Sequence, residues 1–205
     1  MKLGEIKIEA LKLMFAGNGS DYLDVGVVNL EEMKTQPEYS DYLGSMNGSI
    51  NRCFSLLEER RVLPTKSFPL EGGERHDLGA LISDFFDVER IVYEGDRGYN
   101  SSCEYFREVD SIIIKDYDER GEYRVLYKPK LERITPGKDE EYELPIPDSI
   151  ACLIPYFIKG ELFRMDEPDE AAEARNWFEA SLAEMRERDA VRQTSVVSRY
   201  SFSEV

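Results

Sequence analysis

Histidine occurs once in this chain of 205 residues, tryptophan once and cysteine three times. One histidine, His76, cannot build a metal site from several imidazoles, and a Ser-His-Asp or Cys-His device would have to use this residue alone. It stands in GERHDLGAL, beside an expected strand edge and without a nucleophile motif, and reads as a surface histidine. Cys53, Cys103 and Cys152 are far apart and form no CxxC, which points to neither a zinc site nor a disulfide framework and suits a reducing compartment. Long apolar runs are missing as well. The longest, residues 150–158, is about half of the ~20 residues that span a membrane, and Glu5 and Glu9 interrupt the N-terminal MKLGEIKIEALKLMF where a secretory leader would be continuous. A cytoplasmic, soluble protein with no membrane partner is expected.

Other chemistry is equally scarce. GNGSD and EGGER lack the lysine and the strand-to-helix setting of a phosphate loop. Asp116, Asp118 and Gly121 imitate the start of a calcium loop, but Arg120 fills the fifth position and Tyr127 stands where a bidentate glutamate is needed, so a turn is expected there. No carboxylate pair is singled out by an apolar setting that would raise a pKa. No catalytic residue, metal or cofactor is assigned. Trp177 and Phe178, at helical spacing, read as core.

What the chain does have is negative charge and apolar patterning. Acidic residues number 42 against 26 basic, a formal net charge of −16, which argues against gripping nucleic acid through its phosphates. A passage through which a duplex slides without sticking would use the same repulsion. With 41% hydrophobic residues there is material for a real core.

The pattern changes three times along the sequence. Leu3, Ile6, Ala10, Leu13 and Met14 recur at helical spacing, and a second stripe of Leu43, Met46, Ile50, Phe54 and Leu57 follows Ser40 as cap and ends before Pro64, giving helices within 1–64. Residues 65–147 hold short β-type runs, TKSFPL, DVERIVYE, SCEYFREV, SIIIKDY, EYRVLYK and EYELPI. DYDERGEY reads as their hairpin turn, with Gly121 in a left-handed conformation. Helix returns over 148–190, first from Asp148 as N-cap to about Arg164, then from near Asp166 with Pro168 in its first turn and Ala171, Ala174, Phe178, Ser181 and Met185 facing inward. The end, 191–205, has no helical period and reads as an extended arm. The fold class is therefore α+β: a helical bundle of two N-terminal and two C-terminal helices with an inserted antiparallel β-sandwich or small barrel.

This order of parts resembles the head-to-tail adaptor (connector, neck) proteins of tailed bacteriophages. The likeness is carried by DLGALISDFFDVERIVYEG, by GEYRVLYKPKLERITPG and above all by ELPIPDSIACLIPYFIKGELFRMDEPDEAAEARNWFEASL, where Pro147 precedes an apolar helix, an acidic break and an Ala-rich helix. The resemblance implies a non-catalytic virion protein, made in the host bacterial cytoplasm and placed in the neck between capsid and tail. It implies a homo-oligomeric ring, twelve-fold to match the portal protein, joined on its far side to a tail or head-closure protein. Double-stranded DNA would pass through it without specific binding. It also implies a C-terminal arm reaching into the portal, with Val196, Tyr200 and Phe202 as apolar contacts and Arg199 as the charged one.

A helix apolar on every side must be buried on every side. For residues 150–158 two covers are open: the inserted β domain, or a neighbouring copy, which would make Ile150, Leu153, Ile154, Phe157 and Ile158 a subunit interface. Pro155 removes the hydrogen bond to the Ala151 carbonyl and is expected to bend this helix. A different class of protein, a non-catalytic module whose β domain holds a sugar or peptide, would be favoured by a concave cluster of Tyr93, Tyr99, Tyr105 and Tyr127.

Overall fold

The computed structural model describes residues 1–15, 30–94 and 100–198, with the backbone alone at 32, 38, 94, 100–101 and 188–198. The chain is mixed α and β, with helices and two antiparallel sheets. It divides into two compact units: Met1–Leu56 with Arg133–Val205, and Leu57–Glu132.

The first unit contains α1 (Leu3–Phe15), α2 (Leu30–Thr35) and most of α3 (Pro37–Glu59), then α5 (Asp148–Ala151), α6 (Ile154–Leu162) and α7 (Pro168–Ser198). In α1 the buried stripe is Leu3, Ile6, Ala10, Leu11 and Met14; in α3 it includes Leu43, Met46, Ile50 and Phe54, all at helical spacing. Pro37 opens α3, and Ser40, expected as its cap, lies inside with its hydroxyl bonded to the Pro37 carbonyl. Helix α6 packs against both α1 and α7. Phe15 meets Tyr39, Tyr42 and Phe163 edge-on, tying α1 to α3 and to the end of α6.

Residues 141–146, expected as a strand, form none. Their stretch serves α1 instead: the helix's first free N–H groups, those of Leu3 and Gly4, donate to the carbonyls of Tyr142 and Glu140 at 2.9 Å each. Gly4 matters here, because a Cβ at this position would stand 3.2 Å from the Glu140 carbonyl oxygen. Lys7, buried, donates to Glu140, and the Asn51 amide exchanges two 2.8 Å bonds with the backbone of Ile134. These bonds explain why the helical unit starts again at Arg133 and not at residue 148.

Pro155 ends one helix and starts another. Lacking the N–H that would reach the Ala151 carbonyl, it sits in the first turn of α6, where that donor would be free anyway, and a turn at residues 152–153 separates α5 from α6. The expected bend is thus a break. Pro147, with Asp148 as the first helical residue, occupies the cap of α5.

The second unit holds β1 (Lys66–Leu70), β2 (Arg75–Asp77), α4 (Leu78–Leu81), β3 (Phe85–Glu94), β4 (Asn100–Cys103), β5 (Tyr105–Glu108), β6 (Ser111–Ile114) and β7 (Glu122–Pro129). One sheet runs β1-β7-β3-β4 and the other β2-β6-β5, with every pairing antiparallel. Alternation sets the faces: Tyr123, Val125 and Tyr127 of β7 and Ile112 and Ile114 of β6 turn inward to a core shared with Leu70, Leu78, Val88 and Ile91. Pro69 stands in the edge strand β1, where a missing donor is tolerated. The segment between β6 and β7 joins strands of different sheets, so it is not the expected hairpin, and the left-handed residue is Asp116 at φ 51, not Gly121. Gly121 is required for another reason: a Cβ there would lie 1.7 Å from the Tyr93 ring.

Candidate functional site

The apolar run comes first. Ile150, Leu153, Ile154, Phe157 and Ile158 are each at most 5% exposed within their own chain. The reading of these five as a subunit interface is therefore corrected, because they have no free apolar area to offer a second copy. Part of the cover is α7: Phe157 packs on Phe178 at 5.2 Å, Arg175 lies over the Phe157 ring, and Gly160 brings the two helices close enough that a Cβ would meet the Ala171 carbonyl oxygen at 3.3 Å.

The outward side of α7 is different. Its buried stripe is Ala171, Ala174, Phe178 and Leu182, with Ser181 and Met185 half-buried at the margin. Trp177, expected in the core beside Phe178, is 44% exposed and stacks on Tyr156 of α6 at 3.9 Å. Next to the stack is a cavity of about 220 Å³, with Leu13 and Ala174 as apolar walls and Lys159, Glu170 and Glu173 as polar ones. Lys159 is tied down, donating to the Leu13 carbonyl at 2.6 Å and to Glu170 at 2.7 Å. A signal for this site was present in the sequence: neighbours on a helix point about 100° apart, so a stripe through Ala174 and Phe178 turns Trp177 away from it.

Helix α7 continues to Ser198. The backbone over 191–198 is thus helical and not extended, and Val196, assigned to the arm, belongs to this helix. Arg199, Tyr200 and Phe202 lie outside the described residues.

In the β unit, His76 is 6% exposed in the central part of β2, and its Nε2 atom has no hydrogen-bond partner among the described residues. The surface reading is corrected: its pairing with Ile112 of β6 turns it to the inner face of the sheet. Of the four tyrosines proposed for a concave cluster, Tyr127 is in the core, Tyr105 packs against it and Tyr99 lies outside the described residues. Tyr93 does line a cavity, of about 330 Å³, with Tyr123, Cys103, Glu104, Lys115, Asp116 and Asp118. Lys115 pairs with Glu104, and the Tyr123 hydroxyl accepts from the Asp118 N–H. Burial pushes the Cys103 thiol above its ordinary pKa, so it is a poor nucleophile. Among the described residues no group of His, Cys, Asp and Glu is arranged to hold a metal, and no helix is long and apolar enough to cross a membrane.

Polar pairs fix the same unit. Asp87, buried, pairs with Arg61 and Arg107, and the Glu58 carboxylate accepts from the Leu131 N–H. Tyr127 donates to Asp84 at 2.9 Å; burial and this bond together push the Tyr127 phenol up to about 12. Burial alone would raise the Asp84 carboxyl, but hydrogen bonds from Lys66 and Tyr127 outweigh it and hold Asp84 below its ordinary value.

No protein-family model and no curated protein matches this chain.

Proposed function

We propose that the protein is a structural component of a tailed-phage neck: a ring of copies that sits under the portal protein, joins it to a tail or head-closure protein and lines the DNA passage without catalysis. The finer fold belongs to this reading, a helical bundle completed by segments from both ends of the chain, with the β unit inserted as a sandwich or small barrel. The observation that carries it is that helical segments before and after the β insertion belong to one compact unit, which is the layout the resemblance implies. The charge of −16 supports it, since like charge keeps a duplex from adhering to the wall it passes. Negative-stain microscopy of the protein mixed with the portal protein of the same virus tests the reading. A ring added to one face of the portal is the expected result; portal particles unchanged at saturating protein would overturn it.

A second reading has its own observation, the cavity beside Tyr93 and Tyr123, whose rings and carboxylates are the groups that hold a sugar. In that reading the β unit is a binding module. Calorimetric titration with neutral oligosaccharides should then release heat that Tyr123→Ala abolishes, and no heat from any of them would remove this alternative.

A further inference from the structure

We infer that the cavity beside Trp177 receives the C-terminal segment, residues 199–205, of another copy of the chain. The cavity itself selects the kind of occupant. At about 220 Å³ it is smaller than the ~300 Å³ at which drug-sized sites begin, a size that suits a single aromatic side chain. Its walls are the Tyr156–Trp177 stack, Leu13 and Ala174. An exposed tryptophan backed by a second ring is the type of residue on which binding energy concentrates. No described residue takes the Trp177 indole N–H as donor, which leaves it available to a peptide carbonyl.

Charge narrows the choice. Lys159 is neutralised by Glu170, while Glu173 has no ion-pair partner among the described residues. The cavity therefore asks for an aromatic or apolar side chain with a cation close to it. The chain carries such a segment in RYSFSEV: Arg199 for Glu173, and Tyr200 or Phe202 for the cavity.

The segment cannot come from the same chain. Trp177 and Ser198 are both on α7, and the 21 residues from one to the other carry the end of the helix roughly 31 Å away, while four further residues to Phe202 reach back at most ~14 Å. A second copy must supply it. Each copy then gives one segment and receives one, a head-to-tail contact of the kind that closes into rings. This rests on the oligomeric part of the proposed function, and it gives the segment a different partner from the portal.

The test uses the full chain with Tyr200→Ser and Phe202→Ser, which leaves every cavity open, and a labelled peptide of residues 198–205. Trp177 is the only tryptophan in the chain, so its emission reports on the cavity directly. The peptide should bind with a blue shift of that emission. Glu173→Lys, an exposed change whose fold is checked by circular dichroism, should weaken binding at least tenfold, and an Arg199→Glu peptide should recover most of the loss on that variant. Absence of binding overturns the inference, as does binding that leaves the emission unmoved and ignores Glu173→Lys. So does capture of the peptide by portal protein but not by this chain. Micrographs with portal test the ring separately: a ring without peptide binding removes only this inference, and peptide binding without a ring removes only the neck reading.

Discussion

The two units reach stability by different routes. The helical unit concentrates apolar side chains in one stretch, 150–158, and buries nearly all of them, with α6 packed on α1 and α7, leaving Trp177 as an exposed ring on a polar helix. The β unit spreads its apolar residues by alternation and relies in addition on tyrosines, on the buried Asp87 with its two arginines, and on Asp84 between Lys66 and Tyr127. The difference teaches that the most apolar segment of a chain is the one most completely used by its own core. A surface for a partner is better sought where a large apolar side chain is stranded among charges.

This contrast can be broken most severely at Phe178, which is fully buried against Phe157. Phe178→Ala should cost about 3–5 kcal/mol, read as a lower urea midpoint of Trp177 emission. In the β unit the corresponding weak point is a close approach. Gly121→Ala places a methyl carbon 1.7 Å from the edge of the Tyr93 ring, which must shift, and should cost about 1–3 kcal/mol, seen as loss of tyrosine near-ultraviolet dichroism at lower denaturant.

A smaller effect separates the units by pH. Asp84 has a folded pKa below its unfolded value, so its contribution is complete above the unfolded pKa and is lost as pH falls through the folded one. Asp84→Asn should therefore cost about 1 kcal/mol at neutral pH, and its difference from wild type should shrink as pH falls below the ordinary carboxylate range. A difference from wild type that stays constant on acidification would show that the Asp84 bonds are not what the charge provides.

The smallest change in stability should come from Trp177→Ala, about 0.5 kcal/mol for the lost stack of a half-exposed ring on Tyr156. Followed by circular dichroism against Phe178→Ala, it sharpens the comparison within one helix: adjacent aromatics, one structural and one not.

Much of this was legible in the sequence. The stripe of α3, that of α1 with Leu11 buried in place of the expected Leu13, and the strands β1, β3, β6 and β7 follow from periodicity, because burial on one face forces a period of 3.6 or 2. The strand β2 was not, since three residues around a histidine give no alternation to read. Residues 141–146 form no strand because their backbone is taken up by the start of the chain, with Glu143 bridging Lys2 and the Tyr142 carbonyl accepting from the Leu3 N–H, a long-range role that local pattern does not encode. At the candidate site the split between Trp177 and Phe178 was readable from helical phase. The stack on Tyr156 was not, because it depends on Pro155 breaking the helix and fixing where α6 begins.

The most direct measurement of the central claim, that α6 is core while the Trp177 face is the assembling surface, is fluorine NMR of the chain labelled with fluorotryptophan, free and assembled. One resonance is expected, from Trp177, the sole tryptophan. Assembly should shift and broaden it. An unchanged, sharp resonance in particles shown by sedimentation to be oligomeric would contradict the account.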